Sequence, residues 1–201
     1  MNNSFIDLMT QRRSIYALGK NVPQSKEEIT TLIKEAIKQS PTAFNNQTTR
    51  AVILFGNSSD KVWDMTIDVL RSIMSDDDAF EQSKARVSSF KNGIGTILYF
   101  SDQDAIEESK KQFAPYAQNM HDWSEQGLGG AQFSVWTTLA SNNIGANIQH
   151  YNPIIDDQVK EAFDIPENWV LRAQMPFGSV ENPAGDKDFL DDSTRFKVFE
   201  D

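Results

Sequence analysis

The segment of residues 40–50, SPTAFNNQTTR, carries more amide and hydroxyl groups than a connection between two elements needs. A turn can be made with one Asn or one Pro. The additional uncharged donors and acceptors are Thr42, Asn45, Asn46, Gln47, Thr48 and Thr49. Because carboxamides both donate and accept hydrogen bonds, this density predicts that a polar, uncharged part of a ligand lies against the segment.

The tetrapeptide QRRS at residues 11–14 allows two interpretations. Arg12 and Arg13 could be solvated cations at the end of a helix, where positive charge opposes the negative end of the helix dipole. Alternatively, their planar guanidinium groups and the hydroxyl of Ser14 could bind one anion such as phosphate. The residue types alone leave both interpretations open.

Other kinds of catalytic site find no support in the sequence. The chain has no cysteine, which excludes disulfides, thiolate nucleophiles and sulfur-ligated metals. His121 and His150 lack metal-ligand spacing, and no serine lies in a Gly-x-Ser-x-Gly elbow. The glycine-rich residues 127–130 precede a helix but follow no strand, which favours close helix packing over a dinucleotide loop. What remains is typical of an enzyme whose cofactor carries the reaction.

Charge and length restrict the partners and the architecture. The 201 residues include 19 Lys plus Arg and 29 Asp plus Glu, for a formal net charge of -10. Such a field repels phosphate backbones and anionic lipid head groups, so neither nucleic acid nor a membrane is an expected partner. Asp7 lies where a secretory signal would be apolar, and no run of about 18 apolar residues occurs. We expect one domain over residues 1–201 in a cytoplasmic protein.

Hydrophobic periodicity predicts helices that precede a sheet and then alternate with its strands. The predicted helices cover residues 3–13, 25–40, 59–74, 102–113, 132–140 and 156–166. The predicted strands lie within residues 50–56, 93–102, 144–153, 168–180 and 195–201. The polar tract at residues 75–84 is predicted to be a mobile loop. This order indicates an α+β or α/β sandwich with one mixed sheet.

Four motifs follow one another in an order that resembles the nitroreductase family of FMN-dependent oxidoreductases. They are RRS at 12–14, SPTAFNNQ at 40–47, IGANIQHYNP at 144–153 and MPFG at 175–178. The similarity covers about residues 5–199. It implies a central mixed, mainly antiparallel sheet flanked by helices, in an intertwined homodimer with FMN at the subunit interface. The C-terminal arm, about residues 183–201, would reach the partner subunit.

The resemblance assigns the FMN phosphate to the basic residues near both ends of the chain. By the match at RRS, Arg12 and Ser14 would hold the phosphate, with Arg13 alongside. A basic residue of the tail would complete the clamp, with Arg195 as the first choice and Lys187 as the second. The tail spacing departs from the commoner family pattern, so both tail residues stay open.

The other two motifs are implied to contact the flavin itself. By the match at SPTAFNNQ, the residues that would line it from the partner subunit are Pro41, Thr42, Ala43, Asn45 and Gln47. By the match at NIQHY, Gln149 and His150 would pass beside the ring, with the His150 backbone N–H directed at flavin N5. No catalytic side chain is then required, because the cofactor supplies the chemistry.

One position departs from the family pattern. Many members have Lys two residues after the serine of the N-terminal motif, where this chain has Tyr16. Either positive charge near the flavin would come from elsewhere, with Arg86 preferred over Lys84 and Lys91, or the reduced flavin would be less stabilised. A nearby aromatic segment would either cap the flavin face or pack in the core or interface; its residues are Phe113, Tyr116, Met120 and Trp123.

The implied activity is electron transfer from NADH or NADPH through flavin N5 to a nitroaromatic or quinone-type acceptor. Donor and acceptor would use the same flavin face in turn, which gives a ping-pong mechanism. Two alternatives stay open. One is a non-catalytic flavin-binding regulator of stress or redox state with the same fold, and the other is an acidic interaction domain without a cofactor.

Overall fold

The computed structural model describes residues 3–200, which form helices on both faces of one antiparallel sheet. The helices are α1 (Ser4–Gln11), α2 (Lys26–Lys38), α3 (Asn57–Ile73), α4 (Asp77–Ser89), α5 (Gln103–Gln112), α6 (Met120–Ser141), α7 (Asp156–Phe163) and α8 (Asp192–Arg195). The strands are β1 (Leu18–Gly19), β2 (Thr49–Phe55), β3 (Gly95–Asp102), β4 (Ile144–Ala146) and β5 (Trp169–Val180). Within the described range, no helix combines the length and apolar character needed to cross a bilayer.

The sheet is built around β5, which pairs with three other strands. Its order is β1-β5-β3-β2, and β4 also pairs with β5. Every pairing between these strands is antiparallel, and an isolated parallel bridge joins Ser14 to Ala146. The predicted α+β class with a mixed, mainly antiparallel sheet is therefore confirmed.

Side chains of β3 alternate between two apolar layers, as a strand buried on both faces requires. Ile97 and Tyr99 pack in one core cluster with side chains of α2 and α6. Leu98 and Phe100 pack in a second cluster with side chains of α3 and α7. All eight residues of β3 are buried, and the strand predicted within residues 93–102 is confirmed.

Helix α2 shows why local sequence predicts a helix start well. The Ser25 hydroxyl accepts a hydrogen bond from the Glu28 N–H, and the Glu28 carboxylate accepts one from the Ser25 N–H at 2.7 Å. Hydrogen bonding of the Glu28 carboxylate by the Ser25 backbone, and then by the Ser25 side chain, holds the pKa of Glu28 below its usual value. Ile29 and Ile33, one turn apart, are then directed into the core.

Two predicted elements are wrong. Residues 75–84 are not a mobile loop, because α4 begins within them and the Asp76 carboxylate accepts a hydrogen bond from the Ala79 N–H. The acidic run therefore caps a helix and opposes its dipole, rather than merely being solvated. In the described part of residues 195–201, no strand forms. Arg195 ends α8, and residues 196–200 are exposed, so their strand-type side chains have no sheet edge to join.

Helix α1 ends earlier than predicted. It stops at Gln11, and Arg12 is its C-cap in extended conformation, with φ -67° and ψ 113°. Arg12 and Arg13 are therefore outside the last turn of the helix. This placement weakens the interpretation of the two arginines as cations that oppose the helix dipole.

Asp156 at the start of α7 supplies a pH-dependent test of the fold. One of its carboxylate oxygens, Oδ1, is buried without a hydrogen-bond partner among residues 3–200. Burial raises the pKa of Asp156, while the charges of Lys160 and Arg172 oppose the shift. A raised folded-state pKa means that ionisation costs stability once the pH exceeds the usual value of 3.8.

We expect Asp156→Asn to stabilise the protein at pH 7 by less than about 1 kcal/mol, because water screens the exposed part of the carboxylate. Asp157 remains to oppose the helix dipole. The gain should disappear below about pH 3.8, because the wild-type Asp156 carboxyl is then protonated in both the folded and the unfolded protein. Urea unfolding of both proteins at pH 7 and at about pH 3 checks this, and an equal difference at both pH values would contradict it.

Candidate active site

The residues of the RRS motif line a cavity of about 570 Å³. The extended backbone after α1 carries them past β4, where the Ile15 N–H donates to the Ala146 carbonyl at 2.9 Å. The opposite wall is the start of the C-terminal tail, formed by Asn182, Pro183, Ala184, Gly185 and Lys187. The structure therefore brings the N-terminal cations and one basic tail residue to a common cavity.

Arg12 is held in a partly buried position with an incomplete set of hydrogen bonds. Its guanidinium carbon lies 4.5 Å from the centre of the Trp136 ring, and its buried Nε finds no acceptor among the described residues. Burial, and then the adjacent charge of Arg13, lower the pKa of Arg12. An anion in the cavity would accept from Arg12 and offset the repulsion between the two arginines.

The two tail candidates occupy different places. Lys187 lines the cavity with Arg12 and Arg13. Arg195 is not among the residues of that wall, and its guanidinium carbon lies 5.2 Å from the centre of the Phe196 ring. Within one described chain, Lys187 is therefore the tail cation that completes the basic set.

The polar segment that contains Pro41, Thr42 and Ala43 turns sharply after α2. Three of its residues have positive φ: Phe44 at 51°, Asn45 at 54° and Gln47 at 47°. Such backbone costs about 1–3 kcal/mol per residue and persists only where surrounding contacts hold it, often at functional sites. The side chains of Asn45 and Gln47 are exposed. The Gln47 amide nitrogen donates to the Asn45 carbonyl at 3.4 Å, whereas the Asn45 side-chain amide forms no hydrogen bond with another described residue.

Other polar residues of this segment stabilise its conformation. The Thr42 hydroxyl accepts from the Gln47 N–H at 3.1 Å, and the Asn46 amide donates to the Ser124 hydroxyl at 3.2 Å. Thr48 is buried, and its carbonyl accepts from the Asp102 N–H. Part of the polar density therefore maintains the turn, and a smaller part faces outward.

Arg50 stabilises the turn by linking it to Asp102. One guanidinium nitrogen donates to the Gln47 carbonyl at 2.6 Å, and another lies 2.7 Å from a carboxylate oxygen of the nearly buried Asp102. We expect Arg50→Ala to destabilise the protein by about 1–3 kcal/mol, since Asp102 then loses its cation.

Urea unfolding of Arg50→Ala, Asp102→Asn and the double variant measures the interaction between Arg50 and Asp102 in a double-mutant cycle. We expect the double variant to lose less stability than the sum of the single variants. Strict additivity of the two losses would contradict the pairing.

Residues 149–151 lie across from Gln174 of β5. The Gln149 N–H donates to the Gln174 carbonyl at 2.7 Å, and the Gln174 N–H donates back to the Gln149 carbonyl at 2.9 Å. The Tyr151 N–H donates to the Gln174 side-chain Oε1 at 2.8 Å. His150 lies between Gln149 and Tyr151 and is exposed. Its backbone N–H donates to no acceptor among residues 3–200.

Arg86 of α4 lies near Tyr16, which follows the RRS motif, and its charge acts on Tyr151 of the NIQHY motif. Its guanidinium carbon is 5.9 Å from the centre of the Tyr16 ring, and Tyr16 lines the cavity of Arg12. Burial raises the pKa of Tyr151, and the charge of Arg86 opposes that shift. Lys84 and Lys91 are paired with carboxylates of Glu81 and Asp64, whereas Arg86 forms no ion pair within the described chain.

The aromatic segment joins the polar turn through Phe44, a residue that the sequence reasoning missed. The Phe44 and Phe113 rings stack with centres 4.1 Å apart, and Tyr116 and Trp123 lie within 6.2 Å of Phe44. Phe44 and Tyr116 are about half exposed. Met120 is fully buried, which favours core packing for this residue. The aromatic content of residues 113–123 was the available signal, but only the turn brings Phe44 to it.

Comparisons with known proteins show which family the chain resembles in sequence and fold. The chain matches the model of the nitroreductase family over residues 9–179. The nitroreductase CinD from Lactococcus lactis, solved in complex with chloramphenicol, is 47% identical, with a TM-score of 0.89 over 98% of this chain and 100% of that one. HBN1 of Saccharomyces cerevisiae, named as a nitroreductase, is 33% identical over 189 residues, 93% of each protein.

A nitroreductase with bound FMN from Desulfitobacterium hafniense shares the fold at 15% identity, with a TM-score of 0.71 over all of both chains. The fold and the matched sequence place this protein among the oxidoreductases. The chain belongs to the nitroreductase family.

Proposed function

We propose that this protein is an FMN-dependent oxidoreductase that moves electrons from NADH or NADPH to nitroaromatic or quinone-type acceptors. The observation that carries the proposal is a basic cavity linked to residues 149–151, where the His150 backbone N–H has no acceptor in the described chain. The relative CinD has been solved with chloramphenicol and 4-nitrophenol, both nitroaromatic compounds, and with nicotinic acid, a pyridine ring like that of nicotinamide.

The residues of the cavity fit the phosphate of FMN. Arg12 offers a buried Nε without an acceptor in the described chain, and Arg13, Ser14 and Lys187 line the same space. A phosphate would pair with the guanidinium groups of Arg12 and Arg13 and neutralise two adjacent cations. Arg195 is the second tail candidate, and it would have to approach from the tail of a partner subunit.

The remaining contacts are proposed for the flavin ring and ribityl chain. We assign them from the partner subunit to Pro41, Thr42, Ala43, Asn45 and Gln47. Gln149 and His150 would lie beside the ring, with the His150 N–H as a donor toward N5, and Arg86 would supply positive charge where Tyr16 replaces Lys. Bound FMN would supply the electron-accepting and electron-donating chemistry, while these residues orient it and limit access to one substrate at a time.

We also propose that the active form is a homodimer whose C-terminal arm, residues 183–201, contacts the partner. The arm exposes large apolar side chains that a monomer leaves in water. They are Phe189, Leu190, Phe196, Val198 and Phe199. Light scattering after size-exclusion chromatography tests this, and a monomer at all concentrations would contradict it. The cytoplasmic location stays a prediction.

The decisive experiment is an absorption spectrum of the purified protein, followed by addition of NADH or NADPH and then menadione or 4-nitrophenol. We expect flavin bands that bleach with the nicotinamide and return with the acceptor. Bound flavin that neither nucleotide bleaches would favour the non-catalytic regulator. A colourless protein that takes up no added FMN would overturn the flavin proposal.

A further inference from the structure

Gln174 is a fully buried residue in the middle of β5, between the buried Ala173 and Met175 and paired with Leu98 of β3. Its Oε1 accepts from the Tyr151 N–H at 2.8 Å. Its Nε2 is buried and has no partner among residues 3–200. An apolar side chain of similar size would avoid the cost of an unpaired buried donor. The amide is therefore unfavourable for packing, and its contact with the backbone of residues 149–151 needs another explanation.

That contact fixes the backbone on both sides of His150. Gln174 pairs through its main chain with the N–H and carbonyl of Gln149, and through its side chain with the N–H of Tyr151. Three of the polar groups that flank His150 are thus bound to one residue. The His150 N–H is left as the donor that remains available to an acceptor outside the described chain.

A second set of bonds links this loop to the anion cavity. The Gln149 amide donates to the Asn147 side-chain oxygen at 2.7 Å, and the Asn147 amide donates to the Ile15 carbonyl at 2.8 Å. Ile15 directly follows Ser14 of the cavity wall. The free N–H and the basic cavity are therefore held in a constant relative position by buried hydrogen bonds.

We propose that Gln174 is a positioning residue, which holds residues 149–151 so that the His150 N–H is presented to a ligand acceptor. The inference rests on the proposed function, in which that acceptor is flavin N5. Because the Gln174 side chain is fully buried, it would act through the backbone of Tyr151 rather than by contact with a ligand. The Tyr151 N–H has no other acceptor in the described chain, so the Gln174 amide is oriented with its oxygen toward that N–H. In this orientation the Gln174 Nε2 points elsewhere and finds no partner among the described residues.

The test uses Gln174→Met, which keeps the length of the side chain but removes the acceptor and the unpaired donor. Amide hydrogen exchange is followed residue by residue by NMR, on the full chain with and without added FMN. We expect exchange of the Tyr151 N–H to accelerate about tenfold in the variant, as for the loss of one hydrogen bond. In the wild type, added FMN should slow exchange of the His150 N–H, and the variant should show a smaller slowing.

Two further variants separate positioning from general damage to the strand. Met175→Leu changes the neighbouring buried residue on the opposite face of β5 and should leave exchange at Tyr151 unchanged. Gln174→Glu keeps an oxygen acceptor, because burial favours the neutral carboxyl group, and should restore protection of the Tyr151 N–H. If Gln174→Met does not fold, loss of this protection in Gln174→Leu replaces it as the test.

In the FMN-loaded enzyme, Gln174→Met should lower kcat with NADH about tenfold and change KM less than about twofold. Unchanged Tyr151 exchange in the methionine variant would overturn the positioning role. If Tyr151 exchange accelerates but the wild type binds no FMN, the positioning of the loop stands and the flavin proposal fails. If FMN binds without slowing His150 exchange, the assignment of the acceptor is wrong.

Discussion

Replacement of Arg12 by alanine is expected to weaken FMN binding roughly 10- to 100-fold while the protein remains folded. The guanidinium group is partly buried against Trp136, and its Nε has no acceptor within residues 3–200. A hydrogen bond to a charged group contributes about 1.5–3 kcal/mol, and each 1.4 kcal/mol is tenfold in affinity. Arg12→Lys should give an intermediate affinity, because it keeps the charge but loses the planar fork.

Quenching of FMN fluorescence by the flavin-free protein measures the dissociation constant of each variant. Arg71→Ala is the matched control, since Arg71 lies on α3 and pairs with the exposed Asp77. It should bind FMN as the wild type does. If Arg12→Ala retains wild-type affinity, the anion cavity is not the phosphate site. Circular dichroism of both variants establishes that a lost affinity is not a lost fold.

Replacement of Gly178 by alanine is expected to destabilise the protein by about 2–3 kcal/mol. Gly178 ends the MPFG motif and pairs with Gly145 of β4. A Cβ at this position would lie 2.3 Å from the Gly19 carbonyl oxygen and 2.9 Å from the Gly93 Cα. Both are backbone atoms, so relief requires β1 or the turn before β3 to move away from β5.

Urea unfolding of Gly178→Ala gives the change in the free energy of unfolding. Because this chain is large, a loss of that size lowers the melting temperature by roughly 4–12 °C. Gly185→Ala serves as the control, since an added Cβ there has no atom within 4 Å and should change stability little. Equal stability of the two variants would show that the strands around Gly178 can separate at little cost.

Much of the fold was predictable because its signals are local. The capping box at Ser25 and Glu28, the apolar run of β3 and the N-cap at Asp102 each depend on residues within a few positions along the chain. The acidic tract at residues 75–84 shows the opposite case. Its charges are typical of both a loop and the first turn of a helix, and packing of Phe80 and Val87 in α4 decides between them.

The candidate site was predictable as a set of motifs, but the roles within each motif were not. Polar residues of the turn look equivalent in sequence, and only tertiary contacts separate Asn46, which binds Ser124, from the exposed Asn45. In the same way, residue type does not tell whether Lys187 or Arg195 is the tail cation that lines the cavity with Arg12. The position of the tail relative to the cavity does so for the described chain.

The sequence by itself therefore determined most of the element types, the family resemblance and the residues that could bind an anion or a polar ring. The tertiary structure alone decided that Gln174 contacts the loop on both sides of His150, that Phe44 joins the aromatic segment, and that α1 stops before Arg12. The physical reason is the separation along the chain of the residues that interact. Periodicity and capping act between neighbours in the chain, whereas buried hydrogen bonds such as that from Asn147 to Ile15 exist only once the sheet has brought distant segments together.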